Sequence, residues 1–374
     1  MGIRPIAASP AMPFGRAASR LDWGTMPPAE SSPLHDAHVA AGAVFSDRGG
    51  RTVVASYGDP AGEYSAMLES SGLVDLAERG VLEASGPKRL EFLQGMLSHD
   101  VAGRQPGQGC RAAIMNPKGH VRFLVRALVD KDVVLLETDV DRLDLLQRTL
   151  EHHRVAAPVR FKVSPTAVVG VVGVGAAELL RAQGLEPPLG PDDHIRTTVG
   201  GRDVRVIRAG DLPGGGFVLH VSPDDATAVW EALAAAGMRP AGRDALDARR
   251  IEDLRPWYGT DVTEDNLLHE TGLLAECHSS TKGCYVGQEV VARLEGRGGK
   301  VNKALRRLRL AAPSAPGAIV RAGDNDVGRL TTAATSPLYG PIAMGYVHRG
   351  HFAPGTELDV EGTKATVVAA FDEE

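Results

Sequence analysis

The segment KGCYVGQE, residues 282–289, places reactive residue types at close spacing. Cys284 directly follows Gly283, and Gly287 lies three residues further on. Glycines leave little bulk around a thiol, and the cationic Lys282 favours its thiolate form. Cys284 is therefore a candidate for a reactive or ligand-lining thiol. The alternative is a quiet thiol buried in the core.

The chain has three cysteines, which cannot form a disulfide framework, and an odd count is typical of a reducing compartment. Cys277 and Cys284 flank His278, but six residues separate the two thiols and there is no second pair. Structural zinc sites usually need closely spaced pairs and four ligands. We therefore expect no metal site.

Two further segments could supply acid–base or ligand-binding groups. A helix predicted from Pro87 ends in SHD, which delivers Asp100 to a loop either as a proton acceptor or as a turn cap. The segment RRIEDLRPWYGTD combines Glu252 with Trp257 and Tyr258. Charge beside aromatic rings is typical of ligand walls, although folding explains such a mixture equally well.

Residues 282–309 form a local basic stretch in a chain whose net charge is −6, because they contain eight Lys or Arg and two acids. A solvated face and a dock for an anion, such as a carboxylate or an RNA backbone, are both open interpretations. Aromatic side chains for base stacking are missing among these arginines, so we do not expect direct RNA binding.

The elements that must position these groups fall into several domains, because 374 residues exceed one hydrophobic core. Strand groups interleaved with single helices predict an α+β fold with two mostly antiparallel sheets. One group, from CRAAIM to VVLLET, reads as a three-stranded meander. Short strand-like runs after Lys300 predict a small C-terminal β-barrel. We expect a disordered leader (1–33), an α+β region (34–296) and the barrel (297–374).

Nothing in the chain predicts a membrane span, because no apolar run approaches roughly 18 residues. The leader is rich in Pro, Ala and Ser and has no acid before Asp22. This composition faintly resembles a transit peptide. We expect a cytoplasmic location, with an organellar matrix as the alternative if the leader is a transit peptide.

Several of these segments together resemble a known family. KGCYVGQEVVARL resembles the signature of the YgfZ-type folate-binding proteins, a branch of the aminomethyltransferase (glycine-cleavage T-protein) superfamily. GPKRLEFLQGMLSHDV is similar to the superfamily's helix and T-N-D loop, and RRIEDLRPWYGTDV to its R-x-E…Y-G-x-D segment. SPLYGPIAMGYVHRG resembles a stretch of its C-terminal barrel. The likeness runs from about residue 35 to the end.

The resemblance implies a three-domain ring whose central hole accepts tetrahydrofolate, with the barrel closing one side. Asp100 matches the aspartate that assists methylene transfer in the transferases, and Cys284 matches the cysteine tied to activity in the YgfZ-type branch. These two residues are the candidate catalytic groups. The candidate folate contacts are Asp100, Glu252, Tyr258, Lys282, Tyr285, Gln288, Glu289 and Arg293.

Three departures from the transferase pattern shape the expected function. His99 replaces the asparagine of T-N-D, DLPGGGF lacks the folate-holding glutamate, and Leu246 stands where an arginine is usual. We therefore expect a tetrahydrofolate-binding accessory protein for iron–sulfur cluster assembly or repair. Its partners would be iron–sulfur proteins, including tRNA-thiomethylating enzymes, or their assembly factors. The alternative is a tetrahydrofolate-dependent aminomethyltransferase, so whether the chain is an enzyme stays open.

Overall fold

The structure, a computed structural model, describes residues 32–48 and 50–371. The leader expected over residues 1–33 lies outside the described residues except for its last two. Within the described part, no helix combines the length and apolar character needed to cross a bilayer.

Strands dominate the described residues. In chain order they are β1 (Val44–Arg48), β2 (Arg51–Ser56), β3 (Gly72–Asp75), β4 (Arg79–Ser85), β5 (Gly109–Met115), β6 (Val121–Val129), β7 (Val133–Asp139), β8 (Arg160–Ser164), β9 (Ala167–Val172), β10 (His194–Val199), β11 (Arg202–Ala209), β12 (Gly216–Val221), β13 (Arg239–Pro240), β14 (Lys303–Leu310), β15 (Ile319–Ala322), β16 (Asn325–Ser336), β17 (Gly340–His348), β18 (Glu357–Val360) and β19 (Thr363–Val368).

The α-helices are short and lie mainly between groups of strands. They are α1 (His35–Ala40), α2 (Pro60–Glu69), α3 (Arg89–Met96), α4 (Leu143–Arg154), α5 (Ala176–Ala182), α6 (Ala226–Ala235), α7 (Arg243–Glu252), α8 (Leu274–Cys277) and α9 (Gln288–Glu295).

One antiparallel sheet has five strands in the order β5-β6-β7-β4-β8. The predicted meander is confirmed, since β6 pairs with β5 on one side and β7 on the other. Phe123 and Leu136 point into an apolar core that also contains Leu146 of α4. Successive strand side chains face opposite sides, so Arg126 and Glu137, which are cross-strand partners, lie on the other face. This sheet therefore has one apolar and one charged face.

The second sheet has six strands in the order β10-β11-β12-β9-β3-β13. All its pairings are antiparallel except the short parallel contact of β13 with β3. Its core includes Val169, Phe217 and, from α6, Trp230. Because β3 precedes the five-stranded sheet in sequence and β9 to β13 follow it, the two α+β units interleave along the chain.

The last six strands form a closed barrel in the order β14-β17-β16-β15-β18-β19. Closure leaves no free sheet edge. Apolar side chains such as Leu308, Val347 and Val367 fill the interior. The expected α+β architecture with a small C-terminal barrel is confirmed.

Helix α7 joins the sheets to the barrel through charged side chains that are buried. Nine of its ten residues are buried, and Arg250 has no exposed surface. Arg250 donates to Asp261 at 3.0 Å. Glu252 accepts hydrogen bonds from Tyr64 of α2 at 2.9 Å and from Ser336 of β16 at 2.6 Å. Buried charges of this kind are stable only when paired, so α7 holds the barrel in register with the α+β region.

Candidate ligand cavity

A cavity of about 860 Å³ adjoins the charged face of the five-stranded sheet. This volume is typical of small-molecule sites, which span roughly 300–1,000 Å³. Its wall combines the β1–β2 hairpin, β6 and β7, the turn after α7, and β16 of the barrel. The wall includes Arg48, Arg51, Glu78, Arg79, Arg126, Glu137, Asp139, Asp141, Arg142, Asp211, Arg243, Trp257, Tyr258, Gly259, Glu264, Thr331 and Thr332.

The floor of the cavity is a buried ionic network centred on Arg126. Its guanidinium donates to Asp192 at 2.9 Å, to Glu137 at 2.6 Å and also to Asp211. Arg79 donates to Glu137 at 2.8 Å and to Asp211 at 2.9 Å. Planar guanidinium groups with several directed donors suit such shared carboxylates.

This network keeps two of the floor carboxylates, those of Glu137 and Asp211, ionised. Burial by itself raises the pKa of Glu137, but Arg126, His220 and Arg79 together hold that pKa well below its usual range. Arg126 and Arg79 likewise outweigh burial and hold the pKa of Asp211 low. Glu137 and Asp211 therefore provide fixed charge, whereas burial raises the pKa of Asp192, the third carboxylate bound to Arg126.

Trp257 forms an aromatic part of the wall and is surrounded by cations. The guanidinium carbons of Arg243, Arg250 and Arg79 lie 4.2, 4.4 and 4.8 Å from its ring centroid. These distances are typical of cation–π contacts. Trp257 is only 8% exposed, and its indole Nε1 has no hydrogen-bond partner among the described residues. A buried indole N–H normally finds an acceptor, so a ligand atom is a natural partner.

The more exposed part of the wall carries Arg142, Tyr258 and Arg51. Arg142 donates to the Tyr258 hydroxyl and to Glu264, each at 2.6 Å. Arg51 donates to Asp141 at 2.6 Å. Because burial raises the pKa of Tyr258, its hydroxyl keeps its hydrogen. That hydrogen remains available to a ligand, since the oxygen is the acceptor toward Arg142.

Tyr258 is the one predicted folate contact that lines this cavity. Glu252, six residues earlier, is outside the wall because its carboxylate is held by Tyr64, Ser336 and Arg249. The structure therefore places Glu252 in the contact between α7 and the barrel. A folate contact for it stays a prediction.

Asp100 also lies outside the cavity wall. Its Oδ1 accepts hydrogen bonds from the side chain of Gln94 at 2.9 Å and from the main-chain N–H of Gly103 at 3.2 Å. These bonds shape the loop that follows α3, which is the turn-capping role considered from the sequence. The catalytic role implied by the resemblance stays a prediction.

The KGCYVGQE segment packs beside the end of α3 and away from the cavity wall. Lys282 donates to the carbonyl groups of Gln94, at 2.6 Å, and Leu97. Burial lowers the pKa of Lys282 to about 8. The Lys282 ammonium lies 4.6 Å from the ring centroid of the buried Tyr285. Cys284 is exposed, which argues against the core-thiol alternative, and its reactivity stays a prediction.

The remaining candidate folate contacts lie on α9, and none of them lines the cavity; they are Gln288, Glu289 and Arg293. Their ligand contacts stay predictions. No group of three or more His, Cys, Asp or Glu within residues 32–48 and 50–371 is arranged to hold a metal ion. Cys277 is buried, whereas Cys284 is exposed.

Sequence reasoning missed most of the charged residues of the cavity, notably Arg126, Glu137, Asp139 and Asp211. A signal was present in the strands. Arg126 interrupts the apolar run FLVRALV, and Glu137 follows VVLL. A charge inside a strand that otherwise reads as buried must have a buried partner or face a cavity.

Comparison with known proteins gives a consistent result over nearly the whole chain. Residues 34–280 match the GCVT N-terminal domain, and residues 303–371 match the glycine cleavage T-protein C-terminal barrel domain. The aminomethyltransferase of Saccharopolyspora erythraea is 30% identical over 354 residues, which cover 90% of this chain and 95% of that protein. The aminomethyltransferase of Thermus thermophilus is 30% identical over 349 residues, which cover 89% of this chain and 95% of that protein.

A solved structure shows the same fold. The glycine cleavage system aminomethyltransferase T from Bartonella henselae superposes with a TM-score of 0.82, covering 91% of this chain and 97% of that one. The two sequences are 22% identical, so this likeness concerns the fold alone.

The expectation of an iron–sulfur accessory role is wrong. Relatives that span about nine-tenths of the chain carry the name aminomethyltransferase, which supports the alternative expectation. The expected iron–sulfur partners rested on that role and lose their basis with it.

Proposed function

Because the chain belongs to the glycine cleavage T-protein family, we propose that it transfers the carbon of an aminomethyl group to tetrahydrofolate held in the cavity. The observation that carries this proposal is the cavity itself, built from both α+β units and the barrel in a chain whose relatives are aminomethyltransferases. Tetrahydrofolate supplies the amine nitrogens that accept the one-carbon unit.

The residues of the cavity fit this molecule, because several buried lining atoms lack a protein partner. These atoms are Arg51 Nε, Glu78 Oε2, Arg142 Nε, Arg243 Nε and Trp257 Nε1. They provide donors and one acceptor, which matches a pterin edge that carries amino, carbonyl and ring-nitrogen groups. Unpaired buried polar atoms cost stability, so a complementary ligand would recover that cost.

Aromatic and cationic side chains fit the rest of the molecule. Trp257 and Tyr258 offer flat surfaces for the pterin or aminobenzoyl ring. Arg48, Arg51 and Arg142 offer guanidinium groups to the glutamate carboxylates. These arginines are more exposed than Arg126 on the floor, with side chains 39%, 14% and 27% exposed against 3%. The charged tail would therefore lie toward solvent.

The cavity departs from the expected pterin contact in one respect. The segment DLPGGGF brings Asp211 to the floor, but Arg79 and Arg126 already bind both of its carboxylate oxygens. Among the wall acids that are not exposed, Glu78 and Asp139 each keep one oxygen that no donor of the described residues occupies. We propose that Glu78, whose Oε2 has no partner among these residues, takes the place of the missing glutamate.

Within the family, we propose the YgfZ-type branch on the segment KGCYVGQEVVARL alone. This assignment implies no iron–sulfur role here. The exposed Cys284 lies outside the cavity wall, so the proposed transfer needs no contribution from its thiol.

The proposal is tested by titrating the full chain with tetrahydrofolate in a calorimeter, then adding an aminomethyl thioether and measuring methylenetetrahydrofolate and ammonia. We expect saturable binding and product formation. Arg142→Gln should weaken binding about tenfold, because it removes a tail contact and frees Tyr258. Arg148→Gln, an exposed arginine on α4, is the matched control and should bind like the wild type. Absence of both binding and product would refute the proposed function.

A further inference from the structure

Two carboxylates on one face of β7 have opposite surroundings. Glu137 and Asp139 are two residues apart, so both side chains point toward the cavity, and both line it. Glu137 is held by Arg126, Arg79 and His220. Asp139 has a single hydrogen bond, from the main-chain N–H of Asp141 to its Oδ1 at 3.0 Å. The two acids are therefore suited to different tasks.

The second oxygen of Asp139 lies beside a glycine at the cavity wall. Asp139 caps the short 3-10 turn over Val140–Arg142, and this cap fixes Oδ1. A β-carbon placed on Gly259 would lie 3.5 Å from Oδ2. Gly259 has φ +80°, a backbone conformation that favours glycine, so residue 259 places no side chain against Oδ2. Within the described part of the chain, no donor is bonded to Oδ2.

The charges around Asp139 favour its protonated form. The pKa of Asp139 is raised to about 6, chiefly by burial and next by the negative charge of Asp141. Glu78 raises it further, and the hydrogen bond from the main chain of Asp141 opposes the shift. Arg51 opposes this shift, but its guanidinium is bonded to Asp141. A carboxyl group in this range can change protonation state near neutral pH.

The other cations of this part of the wall are committed elsewhere. Arg79 donates to the floor acids, Arg142 to Tyr258 and Glu264, and Arg243 to Glu78. No guanidinium among the described residues is hydrogen-bonded to Asp139. Pairs of acids whose surroundings separate their pKa values are a recurrent feature of acid–base catalysis.

We propose that Asp139 is the residue that exchanges a proton with the amine of the ligand bound in the cavity, while Glu137 provides fixed charge. The inference rests on the proposed function and adds a proton-transferring residue to it. The protonated carboxyl passes its Oδ2 hydrogen to a basic nitrogen and becomes a carboxylate, and the nitrogen becomes an ammonium. The reverse transfer restores the acid. The Tyr258 hydroxyl, anchored by Arg142, positions the same nitrogen by a hydrogen bond.

The first test uses the ligand-free protein. Because the pKa of Asp139 is raised from 3.8 to about 6 in the folded state, the folded protein retains the proton up to higher pH than the unfolded chain. Wild-type stability should therefore fall as the pH rises from about 4 to about 6. Asp139→Asn removes the titrating carboxyl and with it this loss of stability. The urea midpoint of the variant minus that of the wild type should therefore increase between about pH 4 and about pH 6 and stay constant above that range. Infrared spectra at pH 5 should lose one protonated-carboxyl band.

The second test uses tetrahydrofolate and the aminomethyl thioether. Asp139→Asn should lower kcat at least 100-fold while the Kd for tetrahydrofolate changes less than threefold. Calorimetry in buffers of different ionisation enthalpy should show fewer protons exchanged on folate binding. Asp139→Ser retains the cap and removes the carboxyl, so it serves if the amide variant folds poorly. Asp144→Asn, an exposed acid on α4, is the control and should match the wild type.

The outcomes separate the two proposals. An active wild type whose Asp139→Asn form keeps its kcat within threefold, with an unchanged infrared band, refutes the role of Asp139 alone. A wild type that neither binds tetrahydrofolate nor forms product refutes the proposed function and the proton exchange together.

Discussion

The cavity floor and the KGCYVGQE segment differ in how their polar side chains are satisfied. On the floor, Arg126 and the partly buried Arg79 share the buried carboxylates of Glu137 and Asp211. In the segment, Lys282 bonds to main-chain carbonyls and Cys284 is exposed. The floor is thus a closed network of side chains, and the segment is a surface loop anchored by one buried lysine.

This difference teaches that an unusual local sequence and a ligand cavity are separate features. The segment is distinctive because glycines, a thiol and a lysine are adjacent along the chain. The cavity is assembled from residues far apart in sequence, such as Arg51, Arg126 and Thr332, and no short segment reveals it. This difference predicts that substitutions on the floor lower the free energy of unfolding strongly, and that substitutions in the segment lower it little.

The largest effect is expected for Arg126→Met. Removing the guanidinium leaves Asp192, Glu137 and Asp211 buried with too few donors. Breaking a buried charge network from one side typically costs about 3–5 kcal/mol. We expect a loss of this size in the free energy of unfolding, measured by urea denaturation at pH 7.

Arg122→Met is the matched control, because Arg122 lies on the same strand, is partly exposed and contacts only the ring of Phe123 in the described structure, at 5.6 Å. Arg122→Met should lower the free energy of unfolding by less than about 1 kcal/mol. Equal losses of unfolding free energy in the two variants would show that the ionic network of the floor does not stabilise the fold, and would contradict the distinction between floor and segment.

An intermediate effect is expected where the barrel meets the α+β region. A β-bulge between Leu330 and Thr332 lets two successive hydroxyls, those of Thr331 and Thr332, reach Oδ1 of Asp261 at 2.7 and 2.5 Å. Thr332→Val keeps the shape of the side chain and removes its hydrogen bond to the Asp261 carboxylate. The free energy of unfolding should fall by about 1.5–3 kcal/mol.

Thermal or urea unfolding measures this change, and Thr335→Val, an exposed position on the same strand, is the control. If the Thr332 hydroxyl stabilises the contact between the barrel and Asp261, the unfolding free energies of the two variants should differ by at least about 1 kcal/mol. A difference near zero would mean that Asp261 is satisfied without the barrel.

The sequence predicted the architecture well because apolar strand-like runs and the turn residues between them are local signals. The runs FLVRALV and VVLLET, separated by the turn DKD, identified the meander, and the Gly- and Pro-divided runs after Lys300 identified the barrel. The pairing of β3 with β9 and β13 is a long-range contact, which local pattern does not encode.

The site was harder to predict, since its chemistry depends on which charges meet in three dimensions. Tyr258 was identified from aromatic and charged neighbours in sequence, and it lines the cavity. Asp139 reads as an ordinary strand-end acid. Only the structure shows that it is partly buried near the acids Asp141 and Glu78, whereas Glu137 is held by Arg126 and Arg79. The iron–sulfur expectation failed because one short motif and the missing acid in DLPGGGF outweighed likeness along the rest of the chain.

The smallest effect is expected for Cys284→Ser. The thiol is exposed, and a β-carbon on the neighbouring Gly283 would meet nothing within 4 Å, so the substitution disturbs no packing. Stability should change by less than about 0.5 kcal/mol and tetrahydrofolate affinity by less than twofold. A thiol reagent should modify Cys284 quickly in the folded protein and the buried Cys110 and Cys277 only after unfolding, because burial raises the pKa of both thiols. A large loss of folate binding in this variant would instead connect the segment to the cavity and remove the distinction between the two regions.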